Sequence, residues 1–179
     1  TPSELLLSTR ARNVPRSCVH CAIEGSRPML VDVQALALQT AYGMPRRTTN
    51  GFDSGRLALL LAVLEKRAGV SLFNQDVYVN VAGGLELSEP AADLPLCAAV
   101  ASSVRDACVP GDWAVIGEVG LAGEIRAVSQ AERRLAECAR LGFTTAVIPR
   151  ENAKHLRAPE GMRVYGVETL AEALAILFG

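Results

Sequence analysis

The 179-residue sequence predicts an α+β domain of two layers, a mixed sheet with helices packed on it. Three observations predict it. Half of the residues are apolar, enough at this length to bury one good core. Segments with the two-residue period of strands occur beside segments with the helical period. The two kinds follow one another irregularly along the chain, which is the order expected of an α+β domain.

Taken in order, residues 1–16 carry Pro2, Pro15 and three arginines, with Leu5–Leu7 as the apolar run. They read as a linker or arm leading into a domain over 17–179. Cys18–Ile23 and Met29–Leu38 form strands joined by a hairpin at Glu24–Pro28. Tyr42–Phe52 is polar and turn-rich and reads as a loop. A helix follows over Asp53–Ala68, with Leu57, Leu60, Leu61 and Leu64 on one face, Asp53 or Ser54 as cap and Gly69 as stop. Val77–Ala82 alternates as a half-buried strand, and Gly83-Gly84 turns it into Leu85–Leu87. Pro90–Ala107 reads as a helix with an apolar stripe through Leu94, Cys97, Ala98 and Ala101. Trp113–Val119 and Glu124–Val128 pair about the Leu121–Gly123 turn. Ser129 and Glu132 make a capping box that opens a helix to Leu141, and Thr169 with Glu172 caps a final helix to Leu177. Thr144–Ile148 and Val164–Tyr165 are the remaining strands.

The net charge of −1 and pI near 6.1 leave no general attraction for polyanions, so any nucleic-acid contact has to come from a local patch. No apolar run reaches the roughly 18–20 residues of a membrane span, and no charged-then-apolar secretory leader is expected. A chain that starts at Thr1 is expected to be a piece of a longer protein. Five scattered cysteines suit a reducing cytosol, so the expected location is cytoplasmic. Cys18 and Cys21 lie three apart in a strand and point to opposite faces, and no second pair completes a zinc site; no metal site is expected. No G-x-x-x-x-G-K-[ST] loop occurs, since Gly51–Gly55 is too short and ends in Arg56, so ATP chemistry is expected outside this chain. His20 and His155 lack a G-x-S-x-G partner, and His20 reads as a packed residue of its strand.

The stretch Val77–His155, with VYVNVAGGLELSEPAADLPL, GEVGLAGEIRAV and GFTTAVIPRENAKHL, resembles the proteolytic domain of Lon proteases. The resemblance implies a Lon proteolytic-domain-like, ribosomal-protein domain-2-like fold. Counted from Gly117, the Ser–Lys dyad of that family falls on Ala91 and Arg134. Alanine has no nucleophile and a guanidinium stays protonated, so no catalysis is expected. Longer matches, EGSRPMLVDVQAL, GMPRRTTNGFDSGRLALLLAVLEKRAG and DVYVNVAGGLELSEPAADLPL, are similar to the C-terminal Lon-like domain of bacterial RadA (Sms) proteins. Those are RecA-like recombination and repair ATPases. The resemblance implies a homo-oligomer, a hexameric ring, that holds DNA non-specifically during homologous recombination and branch migration. Its own ATPase domain, with ATP and Mg, and a zinc finger with its zinc, would lie outside this chain. Arg46 and Arg47, on a loop with Thr48, Thr49 and Asn50, are the first candidates for phosphate contact, with Arg56, Lys66 and Arg67 beside them. Arg134 is expected to cover the dyad position and pair with Asp93. The alternative is a regulatory pseudo-protease without DNA contact, binding a peptide near Gly83-Gly84 by strand addition beside Leu85–Leu87.

Overall fold

In the computed structural model, residues 16–179 are described; the arm expected over residues 1–16 lies outside them except for Arg16. A seven-stranded sheet carries the fold, in the order β3-β4-β2-β1-β5-β8-β9. β1 (Ser17–Glu24) and β2 (Arg27–Gln39) form the expected hairpin, and β2 pairs antiparallel with β4 (Gln75–Val81). The other neighbours, β3 (Arg47–Asn50), β5 (Trp113–Val115), β8 (Thr145–Pro149) and β9 (Arg163–Val167), are added in parallel. The sheet is therefore mixed, as the sequence predicts. β6 (Glu118–Val119) and β7 (Ile125–Arg126) make a separate antiparallel pair.

Five α-helices stand among the described residues: α1 (Ser54–Ala68), α2 (Asp93–Arg105), α3 (Ala131–Arg140), α4 (Arg150–His155) and α5 (Leu170–Phe178). α1, α2 and α5 share one large core with Val31, Val33, Val77 and Val79 of the sheet. α3 and α4 pack on the opposite face, over Val19, Cys21, Ala146 and Ile148. The domain is thus two-layered over β3, β4 and the later half of β2, where Leu36 and Leu38 face solvent. Over β1, β5, β8 and the first half of β2 it has three layers, because those strands are buried on both faces.

Capping follows the sequence at two helices. Asp53 accepts from the Arg56 amide at 2.8 Å, Gly69 closes α1 in the left-handed region, and Thr169 accepts from the Glu172 amide.

Elsewhere the structure corrects the expectation. Tyr42–Phe52 contains β3, a strand of only four residues whose Thr–Thr centre pairs with β4. Leu85–Leu87 is not a strand; Leu87 makes one parallel bridge to Phe52. α2 begins at Asp93, after a 3-10 turn at Pro90–Ala92, and every residue from Asp93 to Ser102 is buried, so it is a central helix rather than one with a stripe. The strand expected over Trp113–Val119 breaks at Ile116-Gly117, where Gly117 leaves the main sheet to bond the start of α2. The Ser129–Glu132 capping box does not form. α3 starts after Gln130, in the left-handed region, and the Glu132 carboxylate accepts from the Arg157 amide instead of the Ser129 amide.

The candidate groove at Ala91

Backbone bonds from the broken strand position this site. The Gly117 amide donates to the Ala91 carbonyl and the Leu94 amide to the Gly117 carbonyl, each at 2.9 Å. A side chain at Gly117 would meet Leu94 and Ile125 at 3.1 Å, so glycine lets the two segments approach without those side chains giving way. Ala91 is thereby held just ahead of α2, where it is buried.

Ala91 and Arg134 line one cavity of about 230 Å³, with Glu89, Glu118 and Ser129 among its walls. The structure thus brings together the two positions that the sequence pairs. Arg134 is 1% exposed, and its guanidinium is used on several sides. Nε donates to the Ser129 carbonyl at 2.9 Å, one Nη to the Cys21 carbonyl at 2.8 Å, and both Nη to the Glu89 carboxylate at 2.7 and 3.0 Å. The expected partner of Arg134 was Asp93; the structure gives Glu89 instead. The Cys21 contact has a topological reason. β5 pairs with β1 only at Val19, so farther along β1 the guanidinium meets a carbonyl beyond the strand pairing.

Glu89 also meets His20, which is fully buried on β1, with Nε2 at 2.8 Å. The other ring nitrogen lies 3.1 Å from the Val115 carbonyl. Burial pushes the Glu89 carboxyl up, but hydrogen bonds from His20 and Arg134 outweigh it and leave it at about 2. Asp93 is taken by a different cation: Arg56 Nε donates to it at 3.1 Å, a second guanidinium nitrogen bonds it too, and the Val119 amide donates at 3.0 Å. A carboxylate in the first turn of α2 also suits the helix dipole. The hydrogen bond to Asp93 raises the Arg56 guanidinium further, against the lowering by burial. Neither Ala91 nor Arg134 offers a nucleophile or a base. Burial pushes the Cys97 thiol up, and the contact with Cys21 followed by burial does the same to Cys138.

Of the basic residues singled out in the sequence, Arg47 and Arg56 bond within the fold, while Arg46, Lys66 and Arg67 are exposed. Arg47 turns inward, donating to the Gln75 carbonyl and, at 3.0 Å, to the Leu72 carbonyl. Arg56 lies in the groove with Asp93. Arg46 is exposed at the start of β3, its amide held at 2.8 Å by Asp76. Lys66 and Arg67 are exposed in the last turn of α1, with Arg67 packed near the Gly123 turn. Among the described residues no group of three or more His, Cys, Asp or Glu is disposed to hold a metal ion, and no helix is long and apolar enough to cross a membrane. Sequence reasoning missed Glu89, because its partners lie 69 and 45 residues away and no local pattern marks them.

Residues 43–152 match a family model described as subunit ChlI of Mg-chelatase. The chain is 47% identical over 178 residues to DNA repair protein RadA of Halalkalibacterium halodurans, covering 99% of this chain and 39% of that protein. RadA of Bacillus subtilis gives the same identity and coverage. RadA of Escherichia coli is 45% identical over 98% of this chain and 38% of its own length. The chain therefore spans about two fifths of the curated relatives it matches.

Proposed function

Because the chain belongs to the family described as subunit ChlI of Mg-chelatase and is homologous along 99% of its length to DNA repair protein RadA, we propose that it is the non-catalytic, Lon-like part of a RadA-type repair protein. Its role is to hold subunits in a ring, a hexamer, and to contact DNA non-specifically during recombination and branch migration. ATP, Mg and zinc belong to other parts of the full-length protein. The observation that carries the reading is the site itself. The position of a nucleophile is a buried alanine, and the position of a base is a guanidinium locked by four short hydrogen bonds. A guanidinium stays protonated at physiological pH, so it cannot take a proton as a base.

Assembly supplies what the monomer lacks. A head-to-tail contact between identical subunits closes into a ring when its rotation is right. Within a ring, a few exposed cations per subunit are repeated around one channel, and weak phosphate contacts add. Arg46, Lys66 and Arg67 are the cations exposed for this; Arg47 and Arg56 are engaged within the fold. Sedimentation of the 19.0 kDa chain tests the scaffold role. A species of six protomers is expected, and a monomer at every concentration up to about 100 µM, weaker than stable oligomers of roughly micromolar affinity, contradicts it.

A further inference from the structure

Beside the cavity at Ala91 lies a second one of about 340 Å³, walled by Phe52, Leu87 and Ser88, and the two adjoin across Glu89, Pro90 and Glu118. Together they form one groove past the start of α2, in the size range of ligand sites of about 300–1,000 Å³. Four carboxylates line it, from Asp53, Glu89, Asp93 and Glu118, against the guanidiniums of Arg56 and Arg134. Two negative charges are left over. Glu89 and Asp93 are the acids neutralised by those guanidiniums. Asp53 is spent on capping α1. Glu118 is different: it lines both cavities, its side chain is 30% exposed, and Arg126 approaches it to no closer than 3.9 Å while already bonded to Glu124.

We propose that this groove holds an extended protein segment through an arginine or lysine side chain seated against Glu118. The apolar walls, Phe52, Leu87 and Pro90, take the methylene stem, and the carboxylate takes the charged head, as long cationic side chains prefer. Excess negative charge turns phosphate away, so this face is separate from any DNA contact. The carboxylates are too dispersed for a bare metal ion, as no cluster of three or more such ligands occurs among the described residues. Being complementary in charge, a basic segment gains both affinity and faster association, and its binding weakens with salt.

Fluorescence anisotropy tests this on the 179-residue chain with three labelled octapeptides of alanine and serine. One carries a central arginine, one a glutamate there, and one neither. The arginine peptide is expected to bind at least about tenfold more tightly than the glutamate peptide. Glu118→Gln removes most of that preference and leaves the neutral peptide unchanged, while Glu160→Gln, exposed and distant in sequence, changes nothing. Ala127→Trp, an exposed position lining the first cavity, fills the groove and abolishes binding without touching the ion pairs. Equal affinity for the three peptides, no binding at millimolar concentration, or an unchanged preference in a folded Glu118→Gln variant overturns the proposal. So does displacement of the arginine peptide by short duplex DNA, which would make the groove a phosphate site.

Discussion

Replacing Arg134 by methionine keeps the side-chain bulk and removes the charge, which isolates what the guanidinium does. Three groups are deprived of its hydrogen bonds at once: the Cys21 carbonyl, the Ser129 carbonyl and the Glu89 carboxylate. Breaking one member out of a buried ion pair costs about 3–5 kcal/mol, a large part of the 5–15 kcal/mol by which a domain of this kind is stable. The acid limb of the stability profile changes as well. In the native fold Glu89 titrates near 2 rather than at its ordinary 4.5. Its contribution is complete above about 4.5 and is lost as pH falls toward 2. At 1.36 kcal/mol per pH unit that is about 3 kcal/mol. Without Arg134, only His20 is left to oppose burial at Glu89, so its carboxyl rises from its native position and the loss between pH 4.5 and 2 shrinks. Urea unfolding at a series of pH values reads both effects. Adding Glu89→Gln to Arg134→Met recovers more than about 1 kcal/mol, since the carboxylate charge left with His20 alone is then gone. A loss below about 1 kcal/mol in Arg134→Met, with an unchanged acid limb, refutes the reasoning.

Arg56→Ala leaves Asp93 buried with only the Val119 amide and costs about 3 kcal/mol in urea unfolding; a near-neutral result contradicts the pairing. Asp53→Ala removes the cap of α1 and lowers stability by about 1 kcal/mol, whereas Asp53→Ser keeps most of it, as thermal melts of the two variants show. Gly51→Ala meets a φ of 88° and would put a Cβ 2.4 Å from the Leu85 carbonyl and 2.7 Å from Val81. It is expected to cost at least about 2 kcal/mol, and a fully stable Gly51→Ala protein would contradict the close approach of these segments.

The elements with a strong local period, such as the β1–β2 hairpin and the leucine face of α1, stand where their sequences put them. Local patterns fail where a distant segment decides. Arg47–Asn50 is too short and polar to announce a strand, and becomes one because β4 offers an edge and the Arg47 side chain a clasp on two carbonyls. Trp113–Val119 reads as one strand, yet Gly117 is drawn off to Ala91 and Leu94. The box at Ser129 and Glu132 has the right letters, but the Arg157 amide takes the Glu132 carboxylate and α3 starts after Gln130. At the site, counting along the chain paired Ala91 with Arg134, and both line one cavity. The ion pairs around them were not legible. Arg134 reaches Glu89 and Arg56 reaches Asp93, and neither choice leaves a spacing in the sequence.

Duplex DNA binding is the most direct test of the account. Labelled duplex is titrated, over a series of salt concentrations, into chain first shown by sedimentation to be assembled. An Arg46→Ala/Lys66→Ala/Arg67→Ala variant, verified to assemble equally, is measured alongside. The account predicts affinity that falls linearly on a log–log plot against salt, with a shallower slope in the variant, by about one for each phosphate no longer neutralised. An assembled ring that binds no duplex even at about 50 mM salt, where such interactions are strongest, contradicts it and leaves the chain a scaffold alone.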